Sequence, residues 1–115
     1  MKTALLISRQ LSGPTYYEAL RNALAELGTT HLLHGAEGAA KAHAQAWAAE
    51  TGNPETGYAP DWNEHGRAAG PIRGRELIKA ADNVVAIWDG QSKGTANELR
   101  EARRQGKRVK LILTR

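Results

Sequence analysis

At 115 residues with a net charge of +4 and no low-complexity tract or evident linker, the chain holds about one domain's worth of material, enough for a single core and one site. The absence of cysteine excludes disulfides, thiolate catalysis and cysteine-ligated zinc or iron-sulfur centres, and fits a reducing compartment. No apolar run approaches the roughly 20 residues that span a bilayer, and residues 1–8 lack the longer apolar stretch and cleavage site of a signal peptide, so a soluble, cytoplasmic protein without a membrane partner is expected.

The first element is a continuous apolar run over residues 3–8, the pattern of a strand buried on both faces of a parallel sheet. Pro14 suits a first helical position. Beyond it Tyr16, Leu20, Ala23, Leu24 and Leu27 share one helical face, and Gly28 is a natural stop. The unit recurs as a strand over 30–33, a small-residue loop over 34–38 and an alanine-rich helix to about Thr51 closed by Gly52. A weak third strand is placed near 56–58. Residues 59–70 read as a long irregular loop, a length that is often functional. Pro71 opens a helix reaching Ala80, residues 84–88 form the clearest buried strand, a helix runs from Thr95 to about Gln105, and a strand over 109–113 closes the sheet. Strands alternating with helices imply an α/β domain, doubly wound and mainly parallel, with about five strands and helices on both faces. In such sheets ligands sit beyond the carboxyl ends of the strands. Three loops leave those ends, over residues 8–14, 34–39 and 89–95, which makes Ser8, Arg9, His34, Gly35 and Gly38 candidate ligand contacts.

The third loop carries the most chemistry. In AIWDGQSKGTANEL, residues 86–99, Gly90 and Gly94 let backbone N–H groups approach an anion where a helix begins, and the helix dipole favours a phosphate there. Thr95 can cap the helix or donate its hydroxyl to a phosphate. Glu98 falls one turn in, where a carboxylate also complements the dipole.

Four strings together resemble a known family: HGAEGAA from residue 34, AW at 46–47, APDWNEHGRAAGPIRGREL over 59–77 and DGQSKGTANELREA over 89–102. They are similar to the small DUF2493 proteins, YspA-related members of the SLOG superfamily, which joins the Smf/DprA proteins and the LOG phosphoribohydrolases. The resemblance spans nearly the whole chain, and GRAAGPIRGRE is its most specific part. It implies a Rossmann-like fold with a pocket for nucleotide-derived ligands. In the LOG enzymes a PGGxGTxxE loop and an upstream arginine handle a nucleoside monophosphate and help break its N-glycosidic bond. Gly90, Gly94, Thr95 and Glu98 match that loop here, and Arg73 matches the arginine. On this resemblance Arg73 would clamp phosphate or ribose and orient Glu98, and Glu98 would bind ribose hydroxyls or stabilise positive charge as the bond breaks. The chain also departs from the pattern. Trp88 and Asp89 replace the proline and first glycine of PGG, which puts a second carboxylate at the phosphate loop. The first loop reads HGAEGAAK where relatives read HGGARGAD, with Glu37 near the arginine position, and Gly74 replaces an asparagine between Arg73 and Arg75.

Other residues have a structural and a functional reading. His31 and His34, three apart in a strand, point to opposite faces, so no metal site is expected. Trp47 is placed in the core. Trp62 either pins the 59–70 segment or stacks on a base, with pinning favoured. Arg67, Gly70 and Arg75 lie close to Arg73 in sequence and join it as candidate phosphate contacts. From Arg100 onward there are seven basic residues, Arg100, Arg103, Arg104, Lys107, Arg108, Lys110 and Arg115, against the single acid Glu101. They read as a solvated helix face and basic tail ahead of a nucleic-acid surface, because the few scattered aromatics leave no stacking platform.

The expected function is binding of a nucleotide or nucleotide-derived ligand, ADP-ribose-like or a nucleoside phosphate, as a sensor or sequestering module without a cofactor. The alternatives are a LOG-like N-glycosidic hydrolase using Glu98 and Arg73 and a DprA-like nucleic-acid-binding protein. The resemblance implies a homo-oligomer, a dimer.

Overall fold

A computed structural model describes residues 1–8 and 15–114. Pro14 and Arg9 therefore lie outside the described residues. The strands are β1 (Lys2–Ile7), β2 (His31–His34), β3 (Glu55–Gly57), β4 (Asn83–Trp88) and β5 (Arg108–Leu113). The helices are α1 (Tyr17–Glu26), α2 (Gly38–Thr51), α3 (Trp62–His65), α4 (Ala69–Ala80) and α5 (Lys93–Arg104), with a 3-10 turn at Gly66–Ala68 between α3 and α4. All strand pairs are parallel, in the order β3-β2-β1-β4-β5. This is the α/β, Rossmann-like arrangement expected from the alternation of strands and helices.

The continuous apolar runs are explained by burial on two faces. Alternate residues of β1 and β4 enter different cores: Ala4, Leu6, Val84 and Ala86 meet Leu77, Ile78, Leu99 and Ala102 of α4 and α5. Leu5, Val85 and Ile87 meet Leu20, Leu24, Ala44 and Trp47 of α1 and α2. Each fully buried leucine or isoleucine contributes about 1.5 to 3 kcal/mol by leaving water, so the two central strands hold both helical layers. Helix endings follow local chemistry. At the end of α1, Gly28 adopts φ +67° while its N–H donates to Ala25 O and that of Thr29 to Leu24 O. Gly52, at φ +74°, closes α2 by donating to Ala48 O.

Three expectations need correction. Residues 59–70 are not an irregular loop: Asp61 caps α3, its Oδ1 accepting the Glu64 N–H at 3.0 Å, and the 3-10 turn leads directly into α4. Helix α4 starts before Pro71, which occupies its third position, where a missing N–H costs no intrahelical bond. Helix α5 starts at Lys93 rather than Thr95. Thr95 is therefore inside the first turn and does not cap it; Ser92 occupies the cap position.

Candidate functional site

The chain runs outward through β1, β2 and β3, then crosses back to β4 and β5, so the connectivity reverses between β1 and β4. A crevice is expected at the carboxyl ends of those two strands. A cleft of about 1080 Å³ lies there, walled by the end of β1, the start of α2, one face of α4 and the first half of α5. The loop ends of β1 and β4 are tied together: Ser8 N–H donates to Ile87 O, and Ser8 Oγ accepts the Asp89 N–H at 3.2 Å.

The GRAAGPIRGREL string acquires its meaning from helical spacing. Gly70, Arg73, Gly74 and Leu77 recur at three and four residues, so they share one face of α4, and all line the cleft. Arg73 is anchored across the cleft. Its Nη1 donates to Gly35 O at 2.8 Å and lies 3.5 Å from Glu37 Oε1. Its Nε is buried and has no hydrogen-bond acceptor among the described residues. Two glycines create the space that this arrangement needs. A Cβ on Gly35 would come within 2.7 Å of Arg73 Nη1, and one on Gly74 within 3.1 Å of Glu98 Oε2. Gly74 thus leaves room for α5 to bring the Glu98 carboxylate against α4. Trp62 approaches Gly70, where a Cβ would meet its ring at 3.8 Å, and yet it stays 51% exposed on the cleft rim. It is therefore placed both to pin α3 onto α4 and to offer a ring face.

At the opposite wall, the side chain of Ser92, the N-cap residue of α5, makes no capping hydrogen bond, and Gly94 leaves open space where a side chain would stand. The unpaired amides of a helix start attract anions. The preceding loop is different. Asp89 Oδ1 accepts the N–H groups of Ser92 at 2.7 Å and Gln91 at 2.8 Å. Those bonds, Ser92's first, hold its carboxyl below the usual carboxylate range. The second carboxylate that the sequence puts at this loop is engaged by the loop's own amides, and Gly90 supplies the φ of +81° that the turn requires.

The cleft gathers Ser8, Gly35, Gly38, Trp62, Gly70, Arg73, Arg75, Gly94, Thr95 and Glu98 from the sequence candidates. His34, Arg67, Asp89 and Gly90 are not among its lining residues. His34 is buried at the end of β2, where its Nε2 hydrogen-bonds the Glu55 carboxylate and its Nδ1 accepts the Ala36 N–H at 3.0 Å. It joins β2 to β3. Arg67 is exposed on the 3-10 turn, and Arg9 lies outside the described residues. Glu37, Ser92, Asn97 and Glu101 line the cleft without having been singled out as contacts. For Asn97 and Glu101 the signal was present, because they lie one residue before Glu98 and three after it on α5. Much of the basic stretch beyond Arg100 is engaged internally. Arg104 pairs with Glu101, Lys107 Nζ donates to the Ala81 carbonyl at 2.7 Å, and Lys110 pairs with Glu26.

No family model matches the chain, and no curated protein matches it in sequence. Among solved structures it is similar to TM1055, a structural-genomics target known from its X-ray structure. The two share 25% sequence identity and a TM-score of 0.64 over 94% of this chain and 71% of that one. The chain therefore has, with that protein, a Rossmann-like α/β fold.

Proposed function

We propose that the chain is a SLOG-type binding module that takes a phosphate-bearing, nucleotide-derived ligand, ADP-ribose-like or a nucleoside phosphate, into the cleft between α4 and α5 and acts as a sensor or sequestering protein. The single observation that carries this reading is Arg73. A guanidinium held on Gly35 O, with a buried Nε lacking an acceptor, stands in a cleft at the topological switch point. Leaving a buried donor unmade costs about 1 to 3 kcal/mol, and the 15% of the Arg73 side chain that stays exposed offers the guanidinium to an anion in the cleft. Arg75 and the start of α5 add positive potential, Glu98 and Glu101 suit sugar hydroxyls, and Trp62 suits a base.

Thermal stability against AMP, ADP-ribose, NAD and single-stranded DNA tests the reading, with Arg73→Ala in parallel. A ligand at 100 times its dissociation constant stabilises the folded state by about 2.7 kcal/mol, a shift of several degrees in a domain of this size. The expected result is a shift with one small nucleotide that disappears in Arg73→Ala. No shift with any of them, or one with DNA alone, overturns it. The hydrolytic reading rests on Glu98 and Arg73 lining the same cleft. It requires release of free base by the wild type and not by Glu98→Gln.

A further inference from the structure

The two edges of the sheet differ. β3 is three residues long and ends in a glycine, a blunt edge that offers little to another strand. β5 is six residues long, RVKLIL, and is half open to solvent. Leu111 and Leu113 are 41% and 56% exposed, and with Met1 and Trp62 they are the large hydrophobic residues left exposed among the described residues.

The phase of the backbone is fixed by one bond: Thr114 N–H donates to Trp88 O of β4 at 3.0 Å. Strand residues alternate in the direction of their N–H and C=O groups, so Ile112, Lys110 and Arg108 also face β4. Val109, Leu111 and Leu113 present theirs to the open edge. The same three side chains share the face of the sheet on which Val109 packs against the α4–α5 core, whereas Ile112 packs on the α1–α2 side.

We propose that β5 is an interaction surface for a second copy of this chain, pairing antiparallel with its counterpart about a two-fold axis at Leu111, so that two sheets join into one. The charge pattern selects this register. Directly opposed residues must both face the open edge or both face β4, which restricts the axis to whole residues. An axis at Lys110 sets that lysine against its own symmetry mate, and one at Val109 sets Lys110 against Arg108; like charges directly opposite destabilise a pair. An axis at Ile112 shortens the overlap. With the axis at Leu111, leucine meets leucine, Val109 meets Leu113, Lys110 meets Ile112 and Arg108 meets Thr114. No two charges oppose. The apolar residues then form one uninterrupted stripe, and Val109, Leu111 and Leu113 each exchange both backbone hydrogen bonds with the partner strand.

Sedimentation equilibrium of the full chain and two pairs of variants test this. The wild type is expected to be a reversible dimer, and Leu111→Lys, which places two lysines on the axis, to weaken it about tenfold or more. Thr114→Lys and Thr114→Glu face Arg108 of the second copy and are expected to move the dissociation constant in opposite directions, upward for lysine and downward for glutamate. Because the chain has no cysteine, single cysteines report the register. Leu111→Cys should oxidise to a linked dimer faster than Leu113→Cys, whose sulfurs are kept apart by the register. A monomer up to about millimolar concentration, a dimer indifferent to Leu111→Lys, Thr114 variants that shift it in the same direction or not at all, or equal oxidation rates for the two cysteines each overturn the proposal.

Discussion

Ala36 is the described non-glycine residue with a positive φ, +67°, and it sits in the loop that carries Gly35 and Glu37 to the cleft. Its N–H donates to His34 Nδ1, and its Cβ fills the space that a side chain on Gly57 would need, at 2.7 Å. The left-handed conformation costs an L-residue about 1 to 2 kcal/mol, partly offset by the smaller entropy that alanine loses relative to glycine on folding. Ala36→Gly is therefore expected to stabilise the protein by about 0.5 to 1 kcal/mol in urea denaturation. A loss of stability there would mean that the methyl contact with Gly57 outweighs the strain. The GRAAGPIRGRE string singles out Arg73 in the sequence, and the structure puts that residue in the cleft. The room left by Gly35 and Gly74 is not legible in the sequence, because it matters only through the approach of Arg73 and Glu98, which are distant in the chain, to those backbones.

At the scale of elements, the strands were legible because β1 and β4 are buried on both faces and so read as unbroken apolar runs. Segment 59–70 conceals its helix for a local reason. Asp61 and Glu64 carry the spacing of a helix N-terminus, but the residues beyond Trp62 are polar and include Gly66, so no apolar period announces α3, and indeed it buries no residue. The start of α5 was displaced because Asp89, well before the helix, satisfies the Gln91 and Ser92 amides and lets the first turn begin at Lys93. Packing between elements also sets a pH dependence. His43 of α2 is fully buried; its Nδ1 donates to Ala39 O at 2.7 Å and its Nε2 accepts the Tyr16 N–H ahead of α1 at 3.1 Å. The Tyr16 bond requires an unprotonated Nε2 and so a neutral ring, and burial lowers the pKa below the ordinary 6.5 against the smaller opposing effect of the Ala39 bond. The unfolded chain therefore takes up a proton before the folded one does. The contribution of His43 is complete above about pH 6.5 and is lost as pH falls from there toward the depressed folded value, with a slope of at most about 1.4 kcal/mol per pH unit. His43→Gln, which keeps an acceptor for Tyr16 but cannot titrate, is expected to lower stability at pH 7.5 and to flatten its decline between pH 6.5 and 5. An unchanged slope would assign the acid sensitivity to the carboxylates instead.

For the whole molecule, the order β3-β2-β1-β4-β5 makes the cleft a meeting place of chain segments far apart in sequence. Gly35 and Glu37 follow β2, Arg73 and Gly74 lie on α4, and Glu98 lies on α5, so no single segment forms the site. These parts differ in how firmly they are held. β1 and β4 are packed on both faces by buried leucine, valine and isoleucine, whereas Gly38 and Glu37 at the start of α2 and Lys93 and Gly94 at the start of α5 are exposed. Local opening should occur first at those helix starts and last in the central strands. A ligand spanning Arg73 and the first turn of α5 binds only when both walls are in place, so its binding energy raises the free energy of opening either wall. Amide hydrogen exchange with the stabilising nucleotide is accordingly expected to slow at 35–39 and at 92–96 together, by a similar factor, with little change in β1 and β4 until global unfolding governs their exchange. Arg73→Ala should abolish both effects at once, because the guanidinium on Gly35 O is the link between the β2 loop and α4. Protection confined to 103–110 would move the anion site to the basic surface at the end of α5. Protection at 92–96 alone would mean that the ligand rests on a helix start without engaging the arginine, and the two-walled cleft would no longer describe the site.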